Sequence, residues 1–183
     1  MYTVNTKNDF VPVLNQKTRD VAEYITNKLP YLEFTAWDTF ILNYFLHNLT
    51  FRNQIIIETE KEFCESLFFT IREKYENTYL KPDAEMMYRY FDGKEAIIII
   101  PEVKQAPLIK INGINTITAE KIITDILANK YLNFIFGGKE SEKIIKELLS
   151  GFNINMNKLK RYSKRRNVWN KVQRFFKVNQ QPF

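Results

Sequence analysis

The chain has 183 residues, 45% of them hydrophobic, so it can bury a core without a metal or disulfide staple, and a disordered body is excluded. A single cysteine excludes an internal disulfide and predicts a reducing compartment. No stretch approaches the ~18 apolar residues of a membrane span, so we expect a cytoplasmic protein. The formal net charge of +6 predicts an anionic partner.

The first predicted elements are a helix, a short strand and a second helix. The first helix runs from about Lys17 to Leu29, where Pro30 stops it. Residues 32–37 (LEFTAW) predict a strand, and Asp38 is placed to cap the next helix. That helix spaces four apolar side chains for one buried face, namely Phe40, Ile41, Tyr44 and Phe45.

Two β-branched runs predict the centre of a sheet. Residues 54–58 (QIIIE) predict a strand. Residues 96–100 (AIIII) are apolar on both sides, which is typical of a central strand covered on both faces. A helix and a short strand at residues 78–80 lie between them. The order strand, helix, strand predicts a βαβ crossover and therefore a partly parallel sheet. The inward stripe of that helix is predicted to be Phe63, Leu67, Ile71 and Tyr75.

Residues 107–111 predict another strand, and Thr116 or Thr118 is placed to cap the helix that follows. The core-facing side chains of this helix are predicted to be Ile122, Ile123, Ile126 and Leu127. After two glycines, a further helix is expected from about Lys139 to Gly151. The fold class is therefore α/β (mixed α+β), a small mixed sheet with a βαβ unit and flanking helices.

The C-terminal end predicts a pair of basic amphipathic helices. Residues 156–166 and 167–178 each place apolar side chains on one arc and cations on the other. Because the two apolar arcs are out of phase by more than a right angle, we predict a break near Asn167. We expect a body at residues 1–152 and a basic helical extension at 153–183 packed on the same domain. Its anchors are predicted to be Leu159, Tyr162, Trp169 and Phe176.

Charge is distributed unevenly along the chain. From Leu148 to Phe183 there are nine Lys or Arg residues and no Asp or Glu, whereas the rest holds 18 basic and 21 acidic residues. Such a patch favours an anionic partner, namely nucleic acid, an acidic protein face or a membrane surface. The alternatives are a solvated helix face and docking on the acidic body of the same chain. The candidate anion-binding residues are Lys160, Arg161, Lys164, Arg165, Arg166, Lys171 and Arg174.

An enzyme is the competing hypothesis. Asp83, Glu102 and Lys104 repeat the residue pattern of PD-(D/E)xK nucleases, whose carboxylates hold Mg²⁺. However, Pro101 would interrupt a central strand beside Glu102. Since phosphate-loop, dinucleotide and zinc-protease motifs are also lacking, we predict no catalytic residue, no metal and no cofactor.

Glu58 and a later charged cluster have alternative interpretations. Glu58, at the end of a predicted strand, is a metal ligand, a solvated strand terminus or a charge at the start of the next helix. His47 is the only histidine, so a histidine-based metal site has no support. Glu120, Lys121 and Asp125 lie within about one turn on a predicted helix, and the residue pattern alone favours a solvated charged face.

An ordered set of short motifs resembles the C-terminal domain of AbiEi-like antitoxins, the regulator half of AbiE (type IV) toxin–antitoxin systems. The resemblance covers about Asp9 to Lys177. Its motifs are Trp37-Asp38-Thr39, residues 54–58, Ala106-Pro107-Leu108, residues 118–125 and residues 161–166.

The resemblance implies a non-enzymatic antitoxin-like or regulatory domain in bacterial phage defence, with a nucleotidyltransferase-like toxin as genetic partner. It also implies that Trp37, Glu120, Lys121 and Asp125 are a family signature of unknown role. Members usually begin with a winged helix-turn-helix, for which this chain has no room before Asp9. Either this sequence lacks that module or the protein is a stand-alone antitoxin domain. A pure protein–protein interaction module is the third hypothesis.

Overall fold

The computed structural model describes residues 7–45, 53–83, 85–86, 89, 95–128 and 130–178, with the backbone alone for 130–137, 177 and 178. The chain forms two compact units. The sheet unit is Pro12–Ile117, and the helical unit is Met1–Val11 with Thr118–Phe183. These bounds differ from the boundary expected at residue 152, because the helix that begins after Thr118 packs with the C-terminal helices rather than with the strands.

The helices and strands follow one another in a mixed order. They are β1 (Asn8–Asp9), α1 (Gln16–Lys28), β2 (Phe34–Asp38), α2 (Phe40–Asn43), β3 (Gln54–Thr59), a 3-10 turn (Lys61–Phe63), α3 (Cys64–Arg72), β4 (Thr78–Leu80), β5 (Ala96–Pro101), β6 (Leu108–Ile111), β7 (Ile114–Ile117), α4 (Ala119–Ala128), α5 (Lys130–Gly151), β8 (Phe152–Asn153), α6 (Met156–Arg165) and α7 (Trp169–Val178).

The sheet unit contains a six-stranded mixed sheet in the order β4-β5-β3-β2-β7-β6. β3 and β5 are parallel, in register from Gln54 opposite Ala96 to Thr59 opposite Pro101, and β4 is parallel to β5. β2 is antiparallel to β3 and parallel to β7. The predicted α/β class and parallel crossover through α3 are therefore confirmed, and Pro101 ends β5 rather than interrupting it.

The core of the sheet unit forms because β-branched strands are covered by α1 and α3. Ile55, Ile57, Ile97 and Ile99 are buried together with Val21 and Ile25 of α1 and Cys64, Leu67 and Ile71 of α3. The predicted stripe of α3 is thus partly wrong, since Phe63 is exposed and Cys64 takes the inward position. A thiol can do so because it behaves as a small hydrophobe.

The second predicted helix is also corrected. Asp38 belongs to β2, Thr39 precedes α2, and both Phe40 and Tyr44 are exposed. Ile41, Leu42 and Phe45 are the buried side chains instead. The rest of that predicted helix, with His47, lies outside the described residues.

A hairpin between β6 and β7 was missed by the sequence analysis. Asn112 and Gly113 both have positive φ, 49° and 83°, which is the backbone of a two-residue hairpin turn. This two-residue turn fixes the antiparallel register of β6 and β7, in which Leu108 lies opposite Ile117. The Asn-Gly dipeptide is the sequence signal that predicts such a turn.

The helical unit contains α4 to α7 and the two-residue parallel pair β1 and β8. α4 contacts α5, α6 and α7. α5 is longer than predicted, because it begins at Lys130 and continues through the two glycines at 137 and 138. Gly138 lowers the stability of the helix because glycine has a low helix propensity. Because Gly138 is exposed, its missing side chain leaves no cavity in the core. Among the described residues, no helix is both long and apolar enough to cross a bilayer.

Candidate functional site

Helix α6 has one anchored face and one cationic face. The Asn155 side chain begins the helix by accepting a hydrogen bond from the Lys158 backbone N–H at 3.0 Å. Leu159, Tyr162 and Ser163 are buried. The exposed side carries five cations, namely Lys158, Lys160, Arg161, Lys164 and Arg165.

A three-residue turn at 166–168 separates α6 from α7. Asn167 has φ of 57°, a left-handed conformation that asparagine tolerates better than most residues. The Asn167 N–H donates to the Lys164 carbonyl at 3.0 Å, and the Val168 N–H donates to the Ser163 carbonyl at 2.9 Å. The predicted break near Asn167 is therefore confirmed, and the turn brings the start of α7 back against the end of α6.

Helix α7 repeats the same division of faces. Val168 and Val172 are buried, while Trp169, Phe175 and Phe176 are partly buried. Lys171 and Arg174 are exposed, and the Lys171 ammonium donates to the Leu127 carbonyl near the end of α4 at 3.4 Å. The two helices thus form a basic helix pair, α6 and α7, within which the sequence has no Asp or Glu.

Six of the seven predicted anion-binding residues are exposed on the basic helix pair, and Arg166 differs. Its side chain is 23% exposed, and its Nε lies 3.3 Å from Oδ1 of Asp125, in an ion pair whose geometry falls short of a hydrogen bond. Arg166 therefore forms its ion pair inside the helical unit. We assign it to the anchoring of the helix pair rather than to its outer face.

Asp125 is the centre of a buried polar network between α4 and α6. Its Oδ2 accepts the Lys121 ammonium at 2.5 Å, and its Oδ1 accepts the Tyr162 hydroxyl at 2.9 Å. The side chains of Lys121 and Asp125 are only 2% and 8% exposed. A buried ion pair of this kind is stable when hydrogen bonds satisfy its remaining atoms, and the Tyr162 hydroxyl supplies one. The nearby Arg166 guanidinium adds a second positive charge.

Glu120 completes the link to α6 from the neighbouring position. Its Oε1 accepts the Asn155 backbone N–H at 2.7 Å, directly before the first turn of α6. A carboxylate is favourable there because the helix dipole is positive at its N-terminus. The predicted solvated face at Glu120, Lys121 and Asp125 is therefore wrong, since all three side chains are buried. What they do in the structure is hold α6.

In the sheet unit, the fourth signature residue also has an internal role. The Trp37 indole N–H on β2 donates to Oε1 of Glu58 on β3 at 2.8 Å, and both side chains are only 3% exposed. The interpretation of Glu58 as a solvated strand terminus is therefore wrong. A buried carboxylate needs a donor, which the indole supplies.

The three residues of the nuclease pattern do different things. Oδ1 of Asp83 accepts the Met86 backbone N–H at 2.7 Å. Burial and the nearby carboxylates of Glu60, Glu58 and Glu33 raise the pKa of Glu102, and Lys104 opposes that shift. Within the described residues, no group of three or more His, Cys, Asp or Glu side chains could hold a metal ion.

The buried Asp38, predicted to cap the helix that contains Phe40, also binds the start of α1. Asp38, fully buried at the end of β2, accepts the Thr18 hydroxyl at 2.7 Å and the Asn15 N–H at 3.4 Å at the start of α1. Burial raises the pKa of the Asp38 carboxyl. Hydrogen bonds from Thr18 and Asn15, and from the backbone N–H groups of Phe40 and Ile41 at the start of α2, oppose the shift. The residue joins β2 to α1 within the sheet unit.

The fold and the exposed basic helix pair define an α/β protein whose most distinctive surface is cationic. Residues 1–182 match the model of a protein family of unknown function, DUF6577, and the chain belongs to that family. No curated protein and no solved structure matches significantly. The resemblance to AbiEi-like antitoxins therefore stays a prediction.

Proposed function

We propose that the chain is a non-enzymatic, antitoxin-like or regulatory protein of the cytoplasm, which binds nucleic acid through the outward face of the basic helix pair. The observation that carries the proposal is the exposure of seven cations on two consecutive helices without an acidic residue. They are Lys158, Lys160, Arg161, Lys164, Arg165, Lys171 and Arg174. Cations displayed in this way bind phosphates and release the counterions condensed on the polymer.

The anchoring of the two helices supports the proposal. Leu159, Tyr162 and Val172 are fully or almost fully buried, so the cationic faces are fixed outward. Asp125 and Glu120 hold α6 from inside the same unit. An ordered array of positive charges repels itself and therefore costs stability unless an anionic partner compensates it.

The resemblance to AbiEi-like antitoxins implies a bacterial toxin–antitoxin or phage-defence context. It also implies a cognate nucleotidyltransferase-like toxin as genetic partner. An acidic face of such a protein is the other anionic partner that the helix pair could meet. Co-purification with the product of the neighbouring gene tests this part, and capture of that protein without nucleic-acid affinity would favour the protein-partner hypothesis.

The nucleic-acid proposal is tested by fluorescence-anisotropy titrations at several salt concentrations with the full chain. For six phosphate contacts, we expect log K to fall with log salt at a slope of roughly −5. The triple variant K160Q/R161Q/K164Q should weaken binding and lower the magnitude of the slope by roughly 3.

The matched control removes the same charge from the sheet unit. Lys61, Lys104 and Lys110 are exposed there, so K61Q/K104Q/K110Q changes net charge equally without touching the helix pair. Equal loss of affinity in both triples would show a non-specific charge effect and contradict the proposal. So would the absence of binding by the wild type at low salt.

A further inference from the structure

We infer that the nucleic acid is duplex DNA and that α7 enters its major groove, while α6 lies along the phosphate backbone. The inference rests on the proposed function and deepens it. It starts from a difference in chemistry between the two exposed faces of the basic helix pair.

The exposed face of α6 carries five cations and one amide, Asn157, so cations dominate it and suit phosphate contacts. The exposed face of α7 is mixed, because it presents Asn170, Lys171, Gln173 and Arg174. Asparagine and glutamine amides bind the N6 and N7 edge of adenine in the major groove, and arginine and lysine bind O6 and N7 of guanine. Helix α7 therefore has the larger share of amide side chains, two of its four exposed polar residues against one of six on α6.

The spacing of these four residues puts them on one face. At about 100° per residue they span an arc of roughly 160°, with Asn170 and Arg174 near its centre. The opposite arc contains the buried Val172 and the partly buried Phe175 and Phe176. Such an arc is narrow enough for one helix to present all four polar side chains to one groove.

The connection between the helices matches this use. Helix α6, the three-residue turn at 166–168 and α7 have the connectivity of a helix–turn–helix motif. In DNA-binding members of that motif the first helix crosses the backbone and the second enters the groove. Recognition helices contact bases through their N-terminal residues. All four polar residues lie within the first six positions of α7 (Trp169–Val178).

The start of α7 is held firmly enough to position side chains against bases. Val168 is buried, and its N–H is bonded to the Ser163 carbonyl. Arg166, one residue before the left-handed Asn167, is paired with Asp125. The turn is therefore tied to α4 by an ion pair and to α6 by backbone hydrogen bonds.

The same face suits other nucleic acids less well. The major groove of A-form RNA is too deep and narrow for side chains to read. Proteins that bind single strands stack bases on exposed aromatic rings. In the described part of α7, the aromatic side chains lie on the partly buried arc, and the exposed arc is polar.

The test starts with selection from a pool of random-sequence duplexes by the full-length wild-type protein. We expect enrichment of one sequence, and binding of the selected duplex about tenfold or more tighter than that of a scrambled duplex, the discrimination that one bidentate base contact provides. Replacing the purines of the selected site by 7-deazapurines, which lack the N7 acceptor of the major groove, should remove that preference.

The decisive variant is N170A/Q173A, which removes both amides and leaves every charge in place. We expect it to bind scrambled duplex as the wild type does, with an unchanged salt slope, and to lose the preference for the selected site. N27A, an exposed amide on α1, is the control and should retain the preference. Circular dichroism of each variant checks that the fold is kept.

The outcomes separate this inference from the proposed function. If salt-dependent binding persists but selection enriches no sequence, the reading role of α7 is wrong and the proposed function stands. Tighter binding to single strands or to RNA than to duplex DNA has the same consequence. Retention of the preference by N170A/Q173A also overturns the inference, whereas absence of binding to any nucleic acid overturns both.

Discussion

The two units of the chain handle buried charge differently. In the sheet unit, the buried carboxylates Asp38 and Glu58 meet neutral donors, the Thr18 hydroxyl and the Trp37 indole. In the helical unit, Asp125 meets two cations, Lys121 and Arg166. The sheet unit thus depends on apolar packing around β3 and β5. The helical unit depends on an ionic network that holds the basic helix pair, which has no acidic residue of its own.

The comparison shows the structural role of the charged signature residues. Glu120, Lys121 and Asp125 look like a solvated charged face in the sequence, but each takes part in the packing of α4 against α6. The exposed cations of α6 and α7 face outward, where a partner can bind them. Internal charges fix the helices, and external charges are displayed by them.

The largest expected effect comes from breaking the ionic network. D125A leaves the Lys121 ammonium buried without its carboxylate, so we expect a loss of about 3–5 kcal/mol in the free energy of unfolding. Urea denaturation with hydrogen exchange on α6 measures it. The double variant K121M/D125L, which replaces the pair by apolar side chains, should recover most of the loss; a D125A protein as stable as the wild type would contradict the role of the network.

A smaller effect is expected in the sheet unit from a single methylene. Ile57, fully buried on β3, packs in the core with α1 and α3. I57V should lower the free energy of unfolding by about 0.5–1.5 kcal/mol through lost burial and a small cavity. Nucleic-acid affinity should not change, because the helix pair belongs to the other unit. An I57V protein with native stability but weakened binding would contradict the separation of roles.

An effect of similar or smaller size is expected at the turn between α6 and α7. Because Asn167 has positive φ, N167A should cost about 1 kcal/mol, since asparagine tolerates the left-handed conformation better than alanine does. N167G should cost less than N167A, because glycine adopts this conformation freely. Thermal denaturation ranks the two, and a reversed order would argue against a strained turn.

The smallest expected effect is a pH dependence in the sheet unit. Because burial raises the pKa of Asp38 in the folded state, its contribution to stability is fully present below the unfolded pKa of about 4 and is lost as pH rises through the folded pKa. The stability of D38N relative to the wild type should therefore increase from pH 4 to pH 7. Melting temperatures across that range check it, and a constant difference would show that burial does not perturb this carboxyl.

Local patterns predicted much of this fold. The runs at 54–58 and 96–100 are strands β3 and β5, and the phase shift of the apolar arcs located the break at Asn167. These features depend on residues close in sequence. The hairpin turn at Asn112 and Gly113 was equally local and could have been predicted from the dipeptide.

The rest depended on contacts that periodicity does not encode. Helix α5 passes through two glycines because a 22-residue helix tolerates the cost of each. Glu120 meets Asn155, and Asp125 meets Tyr162, across more than thirty residues of chain. Since only the packing of α4 on α6 brings these groups together, the sequence left their role open and counted Arg166 among the outward cations.

The central claim is that the outward cations of the basic helix pair contact nucleic acid, and lysine footprinting of the full chain tests it most directly. On addition of a duplex, the acetylation rates of Lys158, Lys160, Lys164 and Lys171 measured by mass spectrometry should fall, while those of Lys61, Lys104 and Lys110 in the sheet unit stay unchanged. Protection confined to the sheet unit, or no protection at the helix pair under conditions where binding is measured, would contradict the account.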